Sequence, residues 1–367
     1  MILKQLRLKN FRNYQEKEFS FSEGTTLVIG PNAAGKTNLL EAIYLLASGK
    51  SFRANLEQEM INWNEEIGRV KGVATTETQN GSIENAELEI VLTRGEVGGE
   101  KAARKKYLVN GVARRAMDFL GNLRAVYFGP EDLDLVTGSP SLRRKYLDLA
   151  LSQVDREYAR SSLSYEKGVR QRNKLLERIR EEGVSRTQLL FWNQLLIRNG
   201  EVITQKREEF IQFVNDFWQQ KGEIGQYSLI YDKSIISPAR LEEYAEEEVA
   251  AAATIVGPHR DDFSMRINAN RNSANEREFG KDLRIFGSRG EQRLAVLWLR
   301  ICELEYIYSK TKARPVLLLD DIFSELDQPH RRLVLEITDK QQTIITTADV
   351  NLIEENYQKM MTVVKLD

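Results

Sequence analysis

The chain has 367 residues, with 53 Lys and Arg against 54 Asp and Glu and a formal net charge of −1. At 41% apolar and 29% charged residues it has the composition of a folded globular protein of one large domain or two ordinary ones, which excludes a disordered or globally basic chain. One cysteine, Cys302, and two histidines, His259 and His330, exclude a disulfide framework and a thiolate zinc site and argue against a His-rich metal centre.

Residues 1–30 alternate in the manner of strands, with Leu3, Leu6 and Leu8 followed by Phe11, Phe19 and Phe21. Gly24 marks a turn before the run Thr25–Ile29, a buried strand. After a loop, Leu39, Leu40, Ile43 and Leu46 fall at helical spacing. Strand-like segments return at Leu88–Leu92, Tyr107–Val109 and Ala125–Phe128, and Asn110-Gly111 is a hairpin signal. From Ser141 to Ala253 the pattern is that of long amphipathic helices: Leu147, Leu151, Val154 and Tyr158, then Leu189, Trp192 and Leu195, and further on Phe210, Phe213 and Phe217, recur every three or four residues. Breaks are expected at Glu181–Gly183 and Lys221–Gln226. Strands resume after Gly257-Pro258, then a helix over Gly290–Ser309 and an apolar strand Val316–Leu319. No stretch approaches the roughly 20 apolar residues that span a bilayer. The N-terminus reads as a strand, not a signal peptide. A cytoplasmic protein with no membrane partner is expected.

Gly30-Pro31-Asn32-Ala33-Ala34-Gly35-Lys36-Thr37 fits G-x-x-x-x-G-K-[ST] in full, between a strand and a helix. That placement aims loop N–H groups and a helix N-terminus at phosphate oxygens. Lys36 adds a point charge, and the Thr37 hydroxyl is a Mg²⁺ ligand. The apolar strand near 316–319 ends in Asp320-Asp321; Asp320 is the second Mg²⁺ candidate, and Asp321 would polarise an attacking water. Thr37 and Asp320 are 283 residues apart, more than a compact nucleotide core needs, so a large insertion is expected. The division read from this is 1–135 and 256–367 as two parts of one α/β head, with 136–255 as an inserted all-helical lobe.

Further segments carry a resemblance. Ser288-Arg289-Gly290-Glu291-Gln292 resembles the signature motif of ABC-type ATPases, and Ser324-Glu325-Leu326-Asp327 resembles their D-loop. Leu8–Tyr14 resembles the start of SMC-like ATPases. Ser51-Phe52-Arg53, Ser139-Pro140-Ser141-Leu142-Arg143-Arg144 and Gly257-Pro258-His259-Arg260-Asp261-Asp262 are similar to the RecF family within that superfamily. The resemblance implies an SMC-like P-loop ATPase head with mixed sheets, binding ATP and Mg²⁺. It implies cis contacts to ATP from Arg12, from Gly30 through Thr37 and from Asn38. Ser288, Gly290 and Gln292 would touch ATP in trans across an ATP-dependent homodimer whose interface includes Ser324 and Asp327. Lys36 and Asp321 would be catalytic, in a weak, DNA-stimulated ATPase acting as a switch. The implied role is clamping double-stranded and gapped DNA in replication and recombinational repair, and loading RecA with RecR and RecO. The family usually has His at Phe52. The usual sensor His after the strand that follows the D-loop is replaced by Thr347 or Asp349. Residues 101–180 hold 18 basic residues against nine acids, a local +9 that leaves −10 elsewhere. Arg104, Lys105, Lys106, Arg143, Arg144 and Lys145 are the candidate contacts to DNA phosphates.

Overall fold

The computed structural model describes residues 1–77, 83–219, 227–267 and 280–366. They form two compact units, one of Met1–Asp132 with Glu303–Asp367 and one of Leu133–Cys302.

The first unit is built on two sheets. Strands Ala125–Phe128, Val316–Asp320, Thr343–Thr347, Thr25–Ile29 and Thr362–Lys365 lie side by side in that order, all parallel. Val316–Asp320 and Thr343–Thr347 are buried at every position, and the first accordingly reads as an unbroken apolar run. Thr362–Lys365 is a mostly exposed edge with no such run, and sequence reasoning missed it. The second sheet is antiparallel, in the order Tyr14–Ser20, Ile2–Phe11, Ile67–Glu77, Ile83–Thr93, Lys105–Val109, Val112–Arg114. Leu8, Val70, Ile90 and Tyr107 stand in register across one face, the alternation that the N-terminal pattern announced.

The helix Lys36–Ser48 touches strands of both sheets. With a neighbour on either side it has no solvent face, so every residue from Leu39 to Ser48 is buried. Gly49 ends it in the left-handed conformation, φ 69°, its N–H donating to Leu45 O. The buried Gln342 amide ties chain segments together, donating to Leu3 O and Ser22 O and accepting from Leu3 N.

The second unit carries the helices Pro140–Ser152, Arg156–Glu182 and Leu190–Gln219. Asp155 caps the second helix by accepting from the N–H groups of Glu157 and Tyr158, and Gly183 closes it at φ 68°, where a break is expected. The other expected break, Lys221–Gln226, lies outside the described residues. A three-stranded antiparallel sheet, Tyr227–Asp232, Asp262–Ile267 and Lys281–Asp282, completes the unit. The described residues of 256–302, expected with the head, pack here instead. The strand Asp262–Ile267 pairs with Tyr227–Asp232, and its flanking acids bind arginines of the helices.

Those arginines form the unit's polar interior. Arg143 is 3% exposed, its Nε and Nη2 on the Asp262 carboxylate at 2.6 and 2.9 Å and its Nη1 on Gly138 O at 2.9 Å. Arg207, also 3% exposed, binds Asp261 and Asp148, each at 2.8 Å. Arg172 pairs with the fully buried Glu248 and donates to Asn193 and Thr254.

His259 belongs to this interior. Its Nδ1 meets Tyr165 OH and its Nε2 meets Thr254 O, both at 2.9 Å, a neutral ring accepting at one nitrogen and donating at the other. Gly257, at φ 120°, has no room for a Cβ, which would meet Tyr165 OH at 2.1 Å. Burial lowers the His259 pKa from 6.5 to about 4. A base whose folded pKa lies below its unfolded value contributes stability that is complete above pH 6.5 and is lost as the pH falls towards 4. Between pH 7.5 and 5.0 that contribution should shrink by about 2 kcal/mol. Urea unfolding at the two pH values, compared with His259→Gln, measures it; equal pH slopes in the two chains would refute the assignment.

Candidate nucleotide site and signature helix

The phosphate loop connects Thr25–Ile29 to the helix Lys36–Ser48, as the motif requires. Gly35 sits at φ 101°, and a Cβ there would strike the Asn13 amide at 2.7 Å and Tyr14 OH at 2.8 Å. A Cβ on Gly30 would meet Leu366 O at 2.9 Å. Ala33 also has a positive φ, 68°, and Ala34 N–H donates to Pro31 O at 3.3 Å, so the loop turns tightly. Tyr14 OH donates to Gly35 O at 3.1 Å and Asn13 to Ala34 O at 3.5 Å, bracing it from outside. Lys36 is 8% exposed, and its ammonium donates to Gly30 O at 2.7 Å and Pro31 O at 2.9 Å, across the loop's own mouth. Pro31, Asn32 and Ala33 are exposed.

Behind the loop lies a group that sequence reasoning missed. Glu41 is fully buried, one turn beyond Thr37. It accepts from Arg12 Nε and Nη2 at 2.8 and 2.6 Å, from Arg53 Nη2 at 3.1 Å and from Ser51 Oγ at 2.5 Å. Burial works to raise its pKa; the bonds from Arg12 and Ser51 and the charges of Arg53 and Arg12 outweigh that and hold it below the usual carboxylate range. Arg12 thus reaches the loop's neighbourhood with its guanidinium committed to Glu41 and to Glu59 O. Asn38 is likewise engaged, donating to Asn13 Oδ1 at 2.7 Å and accepting from Arg53. The only sequence signal for Glu41 is a lone acid in an otherwise apolar stretch.

Two strands away in the same sheet, Asp320 ends Val316–Asp320 at 4% exposure. Thr346 Oγ1 donates to its Oδ1 at 2.6 Å, and Tyr127 OH lies 3.2 Å from its Oδ2. Asp321 follows in the left-handed region, φ 50°, its N–H donating to Thr346 O and its Oδ1 3.5 Å from Thr347 Oγ1. Ser324 Oγ donates to Asp321 O at 2.7 Å, and Asp327 caps the helix Gln328–Thr338 through His330 N–H. Among the described residues no group of three His, Cys, Asp or Glu side chains is placed to hold a metal ion. The donors on hand are Thr37 Oγ1 and Asp320, hard oxygens of the kind Mg²⁺ takes together with phosphate.

In the second unit, Ser288 and Glu291 form a capping box at the head of the helix Arg289–Thr311. Ser288 N and Oγ donate to Glu291 Oε2 at 2.7 and 2.8 Å, and Glu291 N donates back at 3.3 Å. Ser288 and Gly290 are exposed, and Gly290 has open space around it. Gln292 departs from expectation. It is 7% exposed, and its amide donates inward to Leu283 O at 2.9 Å and Gly287 O at 3.3 Å, so it holds the preceding turn and does not face outward.

The basic candidates separate as well. Arg104 and Lys106 are exposed, as are Arg114 on the paired strand and Arg115 just beyond it. Lys105 turns inward to Gly49 O and Glu57, both at 2.9 Å. Arg143 is interior, locked on Asp262, and is corrected from surface contact to structural residue. Arg144 is half-buried with Nη1 on Asp261 O at 2.8 Å, and Lys145 is half-buried.

A parallel sheet that carries a phosphate loop beyond one strand and paired acids beyond another defines a P-loop ATPase head. Residues 2–367 match the model of the RecF/RecN/SMC N terminal domain. The DNA replication and repair protein RecF of Herpetosiphon aurantiacus is 37% identical over 100% of this chain and 98% of its own length; that of Bacillus cereus is 35% identical over 98% and 95%. A solved structure of the recombination mediator protein RecF with ATP, in the RecFOR pathway, superposes with a TM-score of 0.82 at 32% identity, covering 96% of this chain and 93% of that one. The chain belongs to the RecF family.

Proposed function

We propose that this protein is a cytoplasmic, ATP-switched DNA-binding ATPase of replication and recombinational repair. The observation that carries the reading is the phosphate loop standing in one parallel sheet with Asp320 and Asp321, in a chain whose relatives are RecF proteins over their whole length. Lys36 and the loop N–H groups bind the ATP phosphates. Thr37 and Asp320 hold Mg²⁺, which when bound neutralises phosphate charge. Asp321 orients and polarises the attacking water. Ser288 and Gly290, exposed at the head of a capped helix, contribute to the nucleotide of a second copy, with Ser324 and Asp327 at the same interface. ATP then becomes part of a head-to-tail homodimer, and slow hydrolysis ends it. Thr347 beside Asp321, in place of a sensor His, agrees with slow turnover. The dimer clamps DNA at single-strand gaps or duplex–single-strand junctions, and acts with RecR and RecO in loading RecA.

The DNA surface in this reading rests on Arg104, Lys106, Arg114 and Arg115, which are exposed, and not on Arg143. Changing Arg104, Lys106 and Arg114 together to Glu should weaken DNA binding equally across sequences. It should also flatten the plot of log affinity against log salt by about 1 per lost phosphate contact. Fluorescence anisotropy over a salt series measures both. Unchanged affinity and slope, with ATP binding intact, would move the DNA site elsewhere.

A further inference from the structure

Tyr127 touches both Asp320 and a second carboxylate. It sits on the strand beside Val316–Asp320, in register with Leu318. Its hydroxyl is 2.9 Å from Glu131 Oε2 and 3.2 Å from Asp320 Oδ2. A phenol has one proton, so it donates to one of these carboxylates at a time, and the other then faces an oxygen lone pair. The ring cannot swing away. It is 2% exposed, stacked on Phe52 at 3.8 Å with 14° between planes, and met edge-on by Tyr44 at 6.1 Å.

Asp320 is therefore oriented by two hydroxyls. Thr346 gives Oδ1 a bond of its own at 2.6 Å. Among the described residues, Oδ2 has only a share of the Tyr127 proton. An oxygen so placed is held in position without being fully satisfied, which is what a ligand to a hard cation needs. Glu131 is the alternate acceptor that keeps the phenol O–H bonded when Oδ2 is drawn elsewhere.

We propose that Tyr127 is a positioning residue for the Asp320 carboxylate, with Glu131 as its alternate acceptor and Phe52 as the clamp on its ring. The inference rests on the reading of Asp320 as a metal ligand, and its test separates the two. Mn²⁺ serves as the probe, its binding to the full-length protein followed by electron paramagnetic resonance with a non-hydrolysable ATP analogue. Tyr127→Phe keeps the ring and its stack. It should weaken Mn²⁺ binding by about 10-fold, as loss of such an outer bond does, while nucleotide affinity in chelator and the melting temperature stay as they were. A merely structural residue would move the last two and leave the first. Glu131→Ala commits the phenol proton to Asp320 and should also weaken Mn²⁺ binding. The double variant should bind Mn²⁺ no more weakly than Tyr127→Phe alone, since both act through one hydroxyl. If Asp320→Asn loses Mn²⁺ and Tyr127→Phe does not, the inference about Tyr127 is overturned and the metal site stands. If Asp320→Asn binds Mn²⁺ normally, both fall together.

Discussion

Asp321→Asn is expected to lower ATP turnover by roughly 10²- to 10⁴-fold, the range for loss of a positioned general base, while ATP binding is retained. The substitution is nearly isosteric, and the backbone tolerates it. Asp321 lies at φ 50°, in the left-handed region where Asn is as well accommodated as Asp. Its N–H bond to Thr346 O and its carbonyl bond from Ser324 Oγ are main-chain features that survive the change. Asp320, Thr37 and the phosphate loop are untouched. If ATP closes two copies and hydrolysis opens them, blocking hydrolysis must accumulate the closed state. Sedimentation velocity should therefore show a dimer for Asp321→Asn with ATP, and a monomer with ADP. Lys36→Ala, which removes the loop's charge, should stay monomeric with either. An Asp321→Asn chain that binds ATP and remains monomeric would refute the head-to-tail switch.

The features legible in the sequence are those written in adjacent residues. The phosphate loop fixes its glycines, its lysine and its hydroxyl within eight positions, and the apolar strand with Asp320-Asp321 needs only a continuous run and two acids. The site's supporting groups are not local. Glu41 draws on Arg12 and Arg53 from either side of it in sequence, and Tyr127 meets Asp320 from 193 positions away. No periodicity encodes such a meeting; it exists only once the strands are ordered in the sheet. Residue type and motif alone point Arg143 at DNA and Gln292 at a second copy's nucleotide, but each is buried and engaged with its own unit. The +9 of residues 101–180 is in the same way not all surface charge, since Arg143 and Arg172 are both in the interior. The Ser-Pro-Ser-Leu-Arg-Arg and Gly-Pro-His-Arg-Asp-Asp segments, far apart in sequence, meet in the fold, where Arg143 of one holds Asp262 of the other.

The same segment sets the largest stability effect. Asp261→Ala should destabilise the second unit by about 3 kcal/mol or more, in the range for breaking a buried ion pair. Asp261 is fully buried and accepts from Arg207 Nη1 at 2.8 Å, from Tyr231 OH and from Ser234 N at 2.7 Å. Removing it takes the carboxylate from three donors at once, and Arg207 Nη1 is left with Pro258 O at 2.8 Å. Arg207 keeps Asp148 at 2.8 Å, but that carboxylate is 30% exposed and is also bound by Tyr158 OH, so it compensates the guanidinium only in part. Asp261→Asn should cost less, because its carbonyl oxygen can still serve one donor while the charge is lost. Trp192, Trp218 and Trp298 lie within 133–302 and only Trp63 outside it, so tryptophan fluorescence in urea follows mainly the affected unit. ATP binding offers an internal control. The phosphate loop belongs to the other unit, and nucleotide affinity in the absence of urea should be unchanged. A loss of stability below about 1 kcal/mol for Asp261→Ala would mean that the Arg207 network relaxes around the gap, and that the motif is held for some purpose other than the integrity of this interior.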